Sequence, residues 1–289
     1  MPHQTLQGIC PTREQGLKSA VTLNNASEMP WLGLGVFQME SDRQTAACVR
    51  FAIQNGYRSI DTASIYENER GVAEGIRTCG VPREELFITT KLWNDDMRKK
   101  REERAFEESL ERLGLDYVDL YLLHWPVEGR IVEAWATLEK LQKAGRVRAI
   151  GVSNFLVPHL EEVLKAGSVV PAVNQIEFHP YLQSPELIRF CRDKGIQIEA
   201  WSPLMQAGRV LKDRVLRGIA KKHARTAPQV ILRWNVQSGV VTIPKSVHEK
   251  RIIENSDIFG FELSAEEMEA IARLDRGERA GPDPANFGF

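Results

Sequence analysis

Short apolar or β-branched runs alternate along the chain with longer segments in which apolar residues recur every three or four positions. Eight of these runs predict strands: Trp31–Leu34, Ser59–Asp61, Phe87–Lys91, Val118–Leu123, Val147–Val152, Ala172–Glu177, Gln197–Trp201 and Val240–Lys245. Strands separated by helices of this length indicate parallel pairing through right-handed crossovers, and eight units favour closure of the sheet. The pattern therefore predicts an α/β fold, a single (β/α)8 TIM barrel.

The segments between these runs have the spacing and end signals of amphipathic helices. In Ile131–Ala144 the apolar residues follow three-four spacing, and Gly145 suits the position after a helix end. Pro185–Lys194 follows Ser184, a residue type favoured as N-cap, with proline at the first helical position. The other predicted helices are Arg104–Leu113, Asp213–His223, Pro228–Val236 and Ala265–Leu274, the last after a capping-box signature.

Two features lie outside the eightfold pattern. Val21–Leu23 and Glu28–Pro30 flank a turn-rich tetrad, which predicts a β-hairpin at the N-terminal end of the barrel. One helix more than a simple unit needs precedes the eighth strand, and a final helix follows the last unit, so two extra helices are expected. Residues 1–18 are predicted to be a polar extension and residues 19–289 the barrel domain.

Composition excludes several classes of function. The 289 residues have a formal net charge of −1, which gives no electrostatic reason to expect a nucleic acid or a membrane surface as partner. The four cysteines are widely spaced, so we expect reduced thiols and no metal site. The polar N-terminus lacks the apolar core of a secretory signal, and no apolar run approaches the roughly 20 residues of a membrane span. A cytoplasmic protein is predicted.

Polar side chains follow several predicted strands at their C-terminal ends, where barrels of this type carry their active sites. Asp61 ends the second strand and is followed by Tyr66, Lys91 ends the third, and His124 follows the fourth. Taken alone, Asp61 and Lys91 could form a structural salt bridge, and His124 could be a hydrogen-bonded core residue. Together, four polar groups at one end of adjacent strands are costly to desolvate unless they pair and act together.

This combination indicates acid–base chemistry on a carbonyl group. An ammonium group at Lys91 favours the phenolate, so we expect it to lower the pKa of Tyr66 from its ordinary value of about 10. Asp61 is expected to keep Lys91 charged, and His124 to donate a hydrogen bond to the substrate oxygen. Because side chains cannot supply a hydride, the chemistry requires a nicotinamide cofactor.

The dinucleotide fingerprint with three glycines is missing, because Gly33–Gly35 is not followed by a third glycine. A cationic stretch at Lys245–Val247, with Arg251 after it, instead predicts a phosphate site that suits an extra 2′-phosphate at the start of the last barrel helix. Trp201 is expected to stack on a nicotinamide ring. The expected carboxamide ligands are Ser153, Asn154 and Gln175.

From about Val21 to its end, the chain resembles the aldo-keto reductase superfamily. The stretches that carry the resemblance are Met29–Gly35, Gly56–Ala63, Gly151–Phe155 and Ile243–Val247. Within the superfamily it is similar to the bacterial glyoxal and methylglyoxal reductases and 2,5-diketo-gluconate reductases. The resemblance implies reduction of small aldehydes and ketones, such as methylglyoxal and other α-dicarbonyls, by NADPH. It also implies a monomer.

The resemblance assigns roles to individual positions. The implied catalytic residues are Asp61, Lys91, His124 and the general acid Tyr66. The implied ligands of NADPH are Ser153, Asn154, Gln175, Trp201, Ser202, Leu204, Lys245, Ser246, Val247, Arg251, Glu254 and Asn255. The implied substrate pocket consists of Phe37, Trp93, Trp125 and His124.

Some positions depart from the pattern of the wider family. Trp201 stands where tyrosine is frequent, and the short loop after Leu204 predicts weak burial of the pyrophosphate. The short tail from Gly277 predicts broad specificity.

Two other functions are alternatives to reduction of a carbonyl group. A redox-sensing subunit of a membrane complex is disfavoured by the complete set of four polar residues. A lyase that forms a Schiff base at Lys91 needs a neutral lysine, which Asp61 disfavours.

Overall fold

The first strands of the computed structural model, which describes residues 16–286, form the predicted antiparallel hairpin. Strands β1 (Ala20–Thr22) and β2 (Glu28–Pro30) pair along their whole length. The turn between them reaches the N-terminal end of the barrel, since the side-chain amide of Asn24 donates to the carbonyl oxygen of Pro171 at 3.0 Å. The amide of Asn25 donates to the carbonyl oxygen of Arg148 at 2.9 Å. The hairpin is thereby attached to the start of two barrel strands.

Eight further strands form a parallel sheet in which each strand pairs with the next along the chain. They are β3 (Gly33–Gly35), β4 (Ser59–Asp61), β5 (Phe87–Leu92), β6 (Val118–Leu123), β7 (Val147–Ser153), β8 (Val173–Glu177), β9 (Gln197–Trp201) and β10 (Val241–Thr242). A parallel bridge between Leu32 and Thr242 joins the first and last of them. The predicted (β/α)8 barrel is confirmed.

Eleven α-helices within residues 16–286 connect and follow these strands. They are α1 (Asp42–Gln54), α2 (Glu69–Thr78), α3 (Asn94–Arg98), α4 (Glu102–Leu113), α5 (Ile131–Lys143), α6 (Val157–Ala166), α7 (Pro185–Asp193), α8 (Arg214–Lys222), α9 (Ala227–Gln237), α10 (Glu249–Ser256) and α11 (Ala265–Ala272). The capping box before α11 forms, because the Ser264 hydroxyl accepts from the amide of Glu267 and the Glu267 carboxylate accepts in return. Ser184, in contrast, makes no cap hydrogen bond, because its φ of 44° differs from the extended backbone that an N-cap needs.

The first and last barrel strands, β3 and β10, which meet at the seam of the barrel, are shorter than predicted. The expected strand Val240–Lys245 is reduced to β10, because Pro244 has no N–H and the sheet ladder cannot continue through it. The carbonyl oxygen of Pro244 still accepts a hydrogen bond from the amide of Gly35 at 3.3 Å. Residues 1–15 of the predicted extension lie outside the described part of the chain. Gly16–Lys18 form one 3₁₀ turn, and Leu17 packs against the core.

The buried side chains of the barrel strands are of two kinds. Apolar side chains such as Ile60, Ile88 and Leu120 are fully buried. At the C-terminal ends of the strands, charged and polar side chains are buried as deeply; they include Asp61, Lys91, Gln175 and Glu199. No helix between residues 16 and 286 is long and apolar enough to cross a membrane. In the same range, Cys48, Cys79 and Cys191 are free and buried.

Candidate active site

A cleft of about 870 Å³ opens at the C-terminal ends of the barrel strands. It brings together all but one of the residues that the sequence predicted for a site: Phe37, Asp61, Tyr66, Trp93, His124, Trp125, Ser153, Asn154, Gln175, Trp201, Ser202, Leu204, Lys245, Ser246, Val247, Arg251, Glu254 and Asn255. Lys91 is the exception, because its side chain is fully buried directly behind the cleft wall.

The ammonium group of Lys91 connects Asp61 to Tyr66. Its Nζ lies 2.6 Å from Asp61 Oδ1 and 2.8 Å from the carbonyl oxygen of Thr62. The Tyr66 hydroxyl lies 3.4 Å from the same nitrogen, at the long end of hydrogen-bonding distances. Neighbouring strands hold these groups, since Asp61 ends β4 and Lys91 lies on the paired strand β5. The pairing of β4 with β5 therefore holds the Asp61 carboxylate close to the Lys91 ammonium group.

The charges of this group follow from burial and from its internal contacts. Burial by itself lowers the pKa of Lys91, but the Asp61 carboxylate and the Tyr66 phenol raise it, so that the net pKa lies above its usual value. For Tyr66, burial raises the pKa more than the Lys91 ammonium lowers it. This net direction is opposite to the one expected from the lysine alone. Tyr66 therefore remains protonated at neutral pH, the state that a proton donor needs.

His124 lines the cleft beside Tyr66 and Trp93. Burial, and then the charge of Lys91, hold the pKa of His124 well below its usual range, so the imidazole is neutral. Its ring is edge-on to Tyr66, with centroids 5.6 Å apart, and edge-on to Trp93, with centroids 5.2 Å apart. A neutral imidazole carries one N–H, which is the donor that a substrate oxygen requires.

The indole of Trp201 is held at two edges. Its Nε1 donates to Asn154 Oδ1 at 2.8 Å, and Asn154 in turn donates to the carbonyl oxygen of His124 at 3.0 Å. At the other edge lies Gly281, where an added Cβ would come within 2.4 Å of Trp201 Cη2. The tail thus contributes to the cleft, through Gly281 and Pro282, although the sequence had assigned it no part in the site. Its glycine and proline content was the available signal for a fixed loop.

The side-chain amide of Gln175 lies between two acidic side chains. Its Nε2 donates to Asp61 Oδ2 at 2.8 Å and to Glu199 Oε2 at 2.7 Å. Burial and the nearby Asp61 carboxylate raise the pKa of Glu199 to about 8. Sequence reasoning missed Glu199, although strand alternation gives it the same face of β9 as Trp201, two residues later.

The far end of the cleft carries exposed cations. Lys245 and Arg251 are exposed, whereas Ser246, before α10, and Asn255, near the C-terminal end of α10, are buried. Lys245 Nζ donates to the carbonyl oxygen of Gln38 at 3.1 Å, across the seam of the barrel. Two further basic side chains, Lys212 and His248, line the cleft and were not predicted. Positive charge beside a helix N-terminus favours phosphate groups.

The loop after β9 forms one wall of the cleft. Three consecutive residues, Met205, Gln206 and Ala207, have left-handed backbones with φ of 50°, 52° and 58°. Gln206, Ala207 and Gly208 line the cleft. A weak grip of this short loop on a pyrophosphate stays a prediction.

The donor set fits NADPH on chemical grounds. A flat indole at Trp201 and the amide of Gln175 suit a nicotinamide and its carboxamide. The cations Lys245 and Arg251 lie along the same cleft and suit a 2′-phosphate. No cluster of metal-ligating side chains was found among residues 16–286.

Comparisons with known proteins agree with this site. A sequence-family model described as the aldo/keto reductase family matches residues 31–276. The chain is 58% identical to glyoxal reductase of Bacillus subtilis, over 94% of this chain and 99% of that protein. It is 46% identical to methylglyoxal reductase DkgA of Escherichia coli, over 93% of this chain and 98% of that protein. A solved mutant of Gox0644 in complex with NADPH matches with a TM-score of 0.88 and 45% identity, over 93% of this chain and 98% of that one.

Proposed function

Because the chain belongs to the aldo/keto reductase family, we propose that it reduces small aldehydes and ketones, including α-dicarbonyls such as methylglyoxal, with NADPH. The observation that carries the proposal is the position of a protonated phenol beside a buried ammonium group, at the wall of a cleft that also holds Trp201. The relatives named glyoxal and methylglyoxal reductase support the substrate class.

The side chains divide the work of the reaction between them. NADPH, when bound, supplies a hydride to the carbonyl carbon. The N–H of His124 donates to the carbonyl oxygen and fixes its approach, and Tyr66 gives its proton to that oxygen as negative charge develops. Lys91 stabilises the phenolate that remains, and Asp61 keeps Lys91 charged.

The raised pKa of Tyr66 is compatible with this role. An alkoxide is a base of similar strength to hydroxide, and it is therefore a far stronger base than a phenolate. Transfer from a phenol to an alkoxide therefore stays favourable even when burial raises the phenol pKa above its usual value. The same burial keeps Tyr66 loaded with its proton across the neutral range.

Cofactor binding uses both ends of the cleft. Trp201 stacks on the nicotinamide, and Asn154 and Gln175 contact its carboxamide. Lys245 and Arg251 bind the 2′-phosphate that distinguishes NADPH from NADH. The match to a solved structure that contains NADPH supports this choice of cofactor.

Purified protein mixed with NADPH and methylglyoxal tests the proposal through the decrease in nicotinamide absorbance. Tyr66→Phe removes the transferable proton and keeps the ring, so turnover falls by at least about 100-fold while NADPH affinity stays within about twofold. Equal turnover in the two proteins would refute the role of Tyr66.

A Schiff-base reaction at Lys91 is disfavoured by the same geometry. Its nitrogen is fully buried, paired with Asp61 at 2.6 Å, and has a raised pKa. Borohydride treatment in the presence of substrate is therefore expected to leave Lys91 unmodified. A reduced adduct at Lys91 would favour the lyase instead.

A further inference from the structure

We propose that Glu199 is a positioning residue: together with Asp61, it determines which end of the Gln175 amide faces the cleft. The inference rests on the proposed function, because the group that meets this amide is taken to be the nicotinamide carboxamide. It concerns selection of the ligand by its hydrogen-bonding pattern.

The contacts of Gln175 leave one orientation for its amide. Its terminal nitrogen lies 2.8 Å from Asp61 Oδ2 and 2.7 Å from Glu199 Oε2. The Asp61 carboxylate only accepts hydrogen bonds and is held by the Lys91 ammonium, so the group that faces it has to be the NH₂ end, and Glu199 Oε2 accepts from the same nitrogen. The reversed amide would bring its carbonyl oxygen against the Asp61 carboxylate, which costs free energy.

This orientation leaves the carbonyl oxygen of Gln175 for a ligand. Gln175 lines the cleft, and both hydrogens of its amide are committed to the acidic side chains. Nearby donors are also committed, since the Ser153 hydroxyl donates to the backbone oxygen of Gln175 at 2.9 Å. The site is therefore suited to a ligand that offers an N–H, as a carboxamide does, and not to a ligand with a ketone methyl at the same place.

Asp61 alone does not fix the Gln175 amide. Asp61 also accepts from Lys91 at 2.6 Å, and a single hydrogen bond donated to Asp61 leaves the Gln175 amide free to turn about its last torsion. The pairing of β8 with β9 places Gln175 directly opposite Glu199, so a second contact fixes the amide plane. Two donors to two fixed acceptors define its orientation.

The protonation state of Glu199 lowers the free-energy cost of burying this side chain beside Asp61. Burial and repulsion from Asp61 raise the pKa of Glu199 to about 8, so it is mostly neutral at pH 7. A neutral carboxyl group still accepts through its carbonyl oxygen. Its other oxygen, Oε1, is buried without a partner among the described residues, which costs stability. A costly polar residue in a barrel interior is typical of a position retained for function.

Binding measurements with two cofactors test the inference. The probes are NADPH and its 3-acetylpyridine analogue, in which a methyl group replaces the carboxamide NH₂. We expect the wild type to bind NADPH about 10-fold more tightly than the analogue, as for one buried hydrogen bond. Glu199→Leu releases the Gln175 amide, so this preference falls to within about twofold of unity. Glu199→Gln retains an accepting oxygen and is expected to restore the preference.

Controls separate positioning from a general loss of structure. The fragment 2′,5′-ADP reaches only the phosphate end, so its affinity reports that each variant is folded and should stay within about twofold of wild type. If Glu199→Leu does not fold, Glu199→Met offers an apolar side chain closer in length. Glu69→Gln alters another buried acid, on α2, whose carboxylate contacts Thr90 and Arg112 away from the cleft, and should keep the preference.

Two outcomes overturn the inference. If Glu199→Leu weakens NADPH and the analogue equally while 2′,5′-ADP still binds, Glu199 does not act through the amide orientation. A wild type that shows no preference between the two cofactors overturns it as well, and leaves the proposed reductase activity intact. Absence of NADPH binding to the wild type would instead refute the proposed function, and with it this inference.

Discussion

The two ends of the cleft are built in different ways. At the barrel interior, Asp61, Lys91 and Gln175 are buried and joined by contacts of 2.6 to 2.8 Å between their side chains. The first contact joins the paired strands β4 and β5, and the second crosses the barrel from β4 to β8. At the phosphate end, Lys245 and Arg251 are exposed and extend from a loop and from α10. The interior is therefore preorganised by the fold, whereas the exposed end, to which we assign the 2′-phosphate, is expected to gain its order only when a ligand binds. Substitutions at the two ends should differ in what they change.

The largest expected effect comes from removing the charge at the centre of the interior cluster. Lys91→Met leaves Asp61 buried and unpaired, which should lower the free energy of unfolding by about 3–5 kcal/mol. Turnover should fall by at least about 100-fold. Denaturant unfolding and a methylglyoxal assay measure the two quantities. Lys140→Met, at an exposed position of α5, serves as control, and equal unfolding curves for both variants would contradict a preorganised interior.

The phosphate end should respond in binding and not in stability. Lys245→Ala combined with Arg251→Ala should weaken NADPH about 100-fold, because each charge-assisted hydrogen bond to phosphate contributes about 1.5–3 kcal/mol. NADH affinity and the free energy of unfolding should remain nearly unchanged. Lys250→Ala, also exposed on α10, is the matched control. Equal weakening of NADPH and NADH would refute the 2′-phosphate assignment.

The buried carboxyl group of Glu199 should make the free energy of unfolding depend on pH. The pKa of Glu199 is about 8 in the folded protein and near 4.3 when unfolded, so between these values the folded state binds more protons. Its contribution to stability is complete below the unfolded value and is lost as pH rises through the folded value. The slope attains at most about 1.4 kcal/mol per pH unit.

Glu199→Gln removes this proton linkage. The difference in the free energy of unfolding between variant and wild type should therefore grow as pH rises from about 5 to about 8, and stay constant above that. Urea unfolding at several pH values measures it. Parallel curves for the two proteins across this range would show that Glu199 is already ionised in the folded state.

The smallest effect is expected at an exposed ion pair on the rim of the cleft. Arg209 Nε donates to Glu278 Oε1 at 2.7 Å and joins the loop after β9 to the tail. Because Arg209 is largely exposed, Arg209→Ala should change NADPH affinity by less than about fivefold. The difference should vanish in about 0.5 M NaCl. A larger, salt-independent effect would mean that the loop is as preorganised as the interior.

Sequence patterns predicted the interior of the barrel better than its seam and its rim. Strand periodicity and the position of Asp61 and Lys91 after consecutive strands were sufficient to expect the pair that the structure shows. The ends of the seam strands were missed because a proline ends the ladder locally. The net pKa direction of Tyr66 was missed because it depends on how much protein surrounds the phenol, which three-dimensional packing determines.

Contacts between distant parts of the chain were beyond sequence reasoning. Gly281 lies 80 positions after Trp201, and nothing in either segment indicates that they touch. Glu199 was overlooked because one acidic residue in an apolar strand has many structural explanations. The proposed role of Glu199 depends on the Gln175 amide that it shares with Asp61. Only the pairing of β8 with β9 brings Gln175 opposite Glu199.

The hairpin at one pole and the tail at the other have a practical consequence for attaching the protein to solid supports. A tether joined through the N-terminal side meets the described part of the molecule at Leu17, which lies beside Gly56 just before β4, at the end of the strands opposite Trp201. A tether joined through the C-terminal side would pull on the segment that contains Gly281. Attachment through the N-terminal side should leave the cleft open to solution. Attachment through the C-terminal side should loosen the contact between Gly281 and the Trp201 indole.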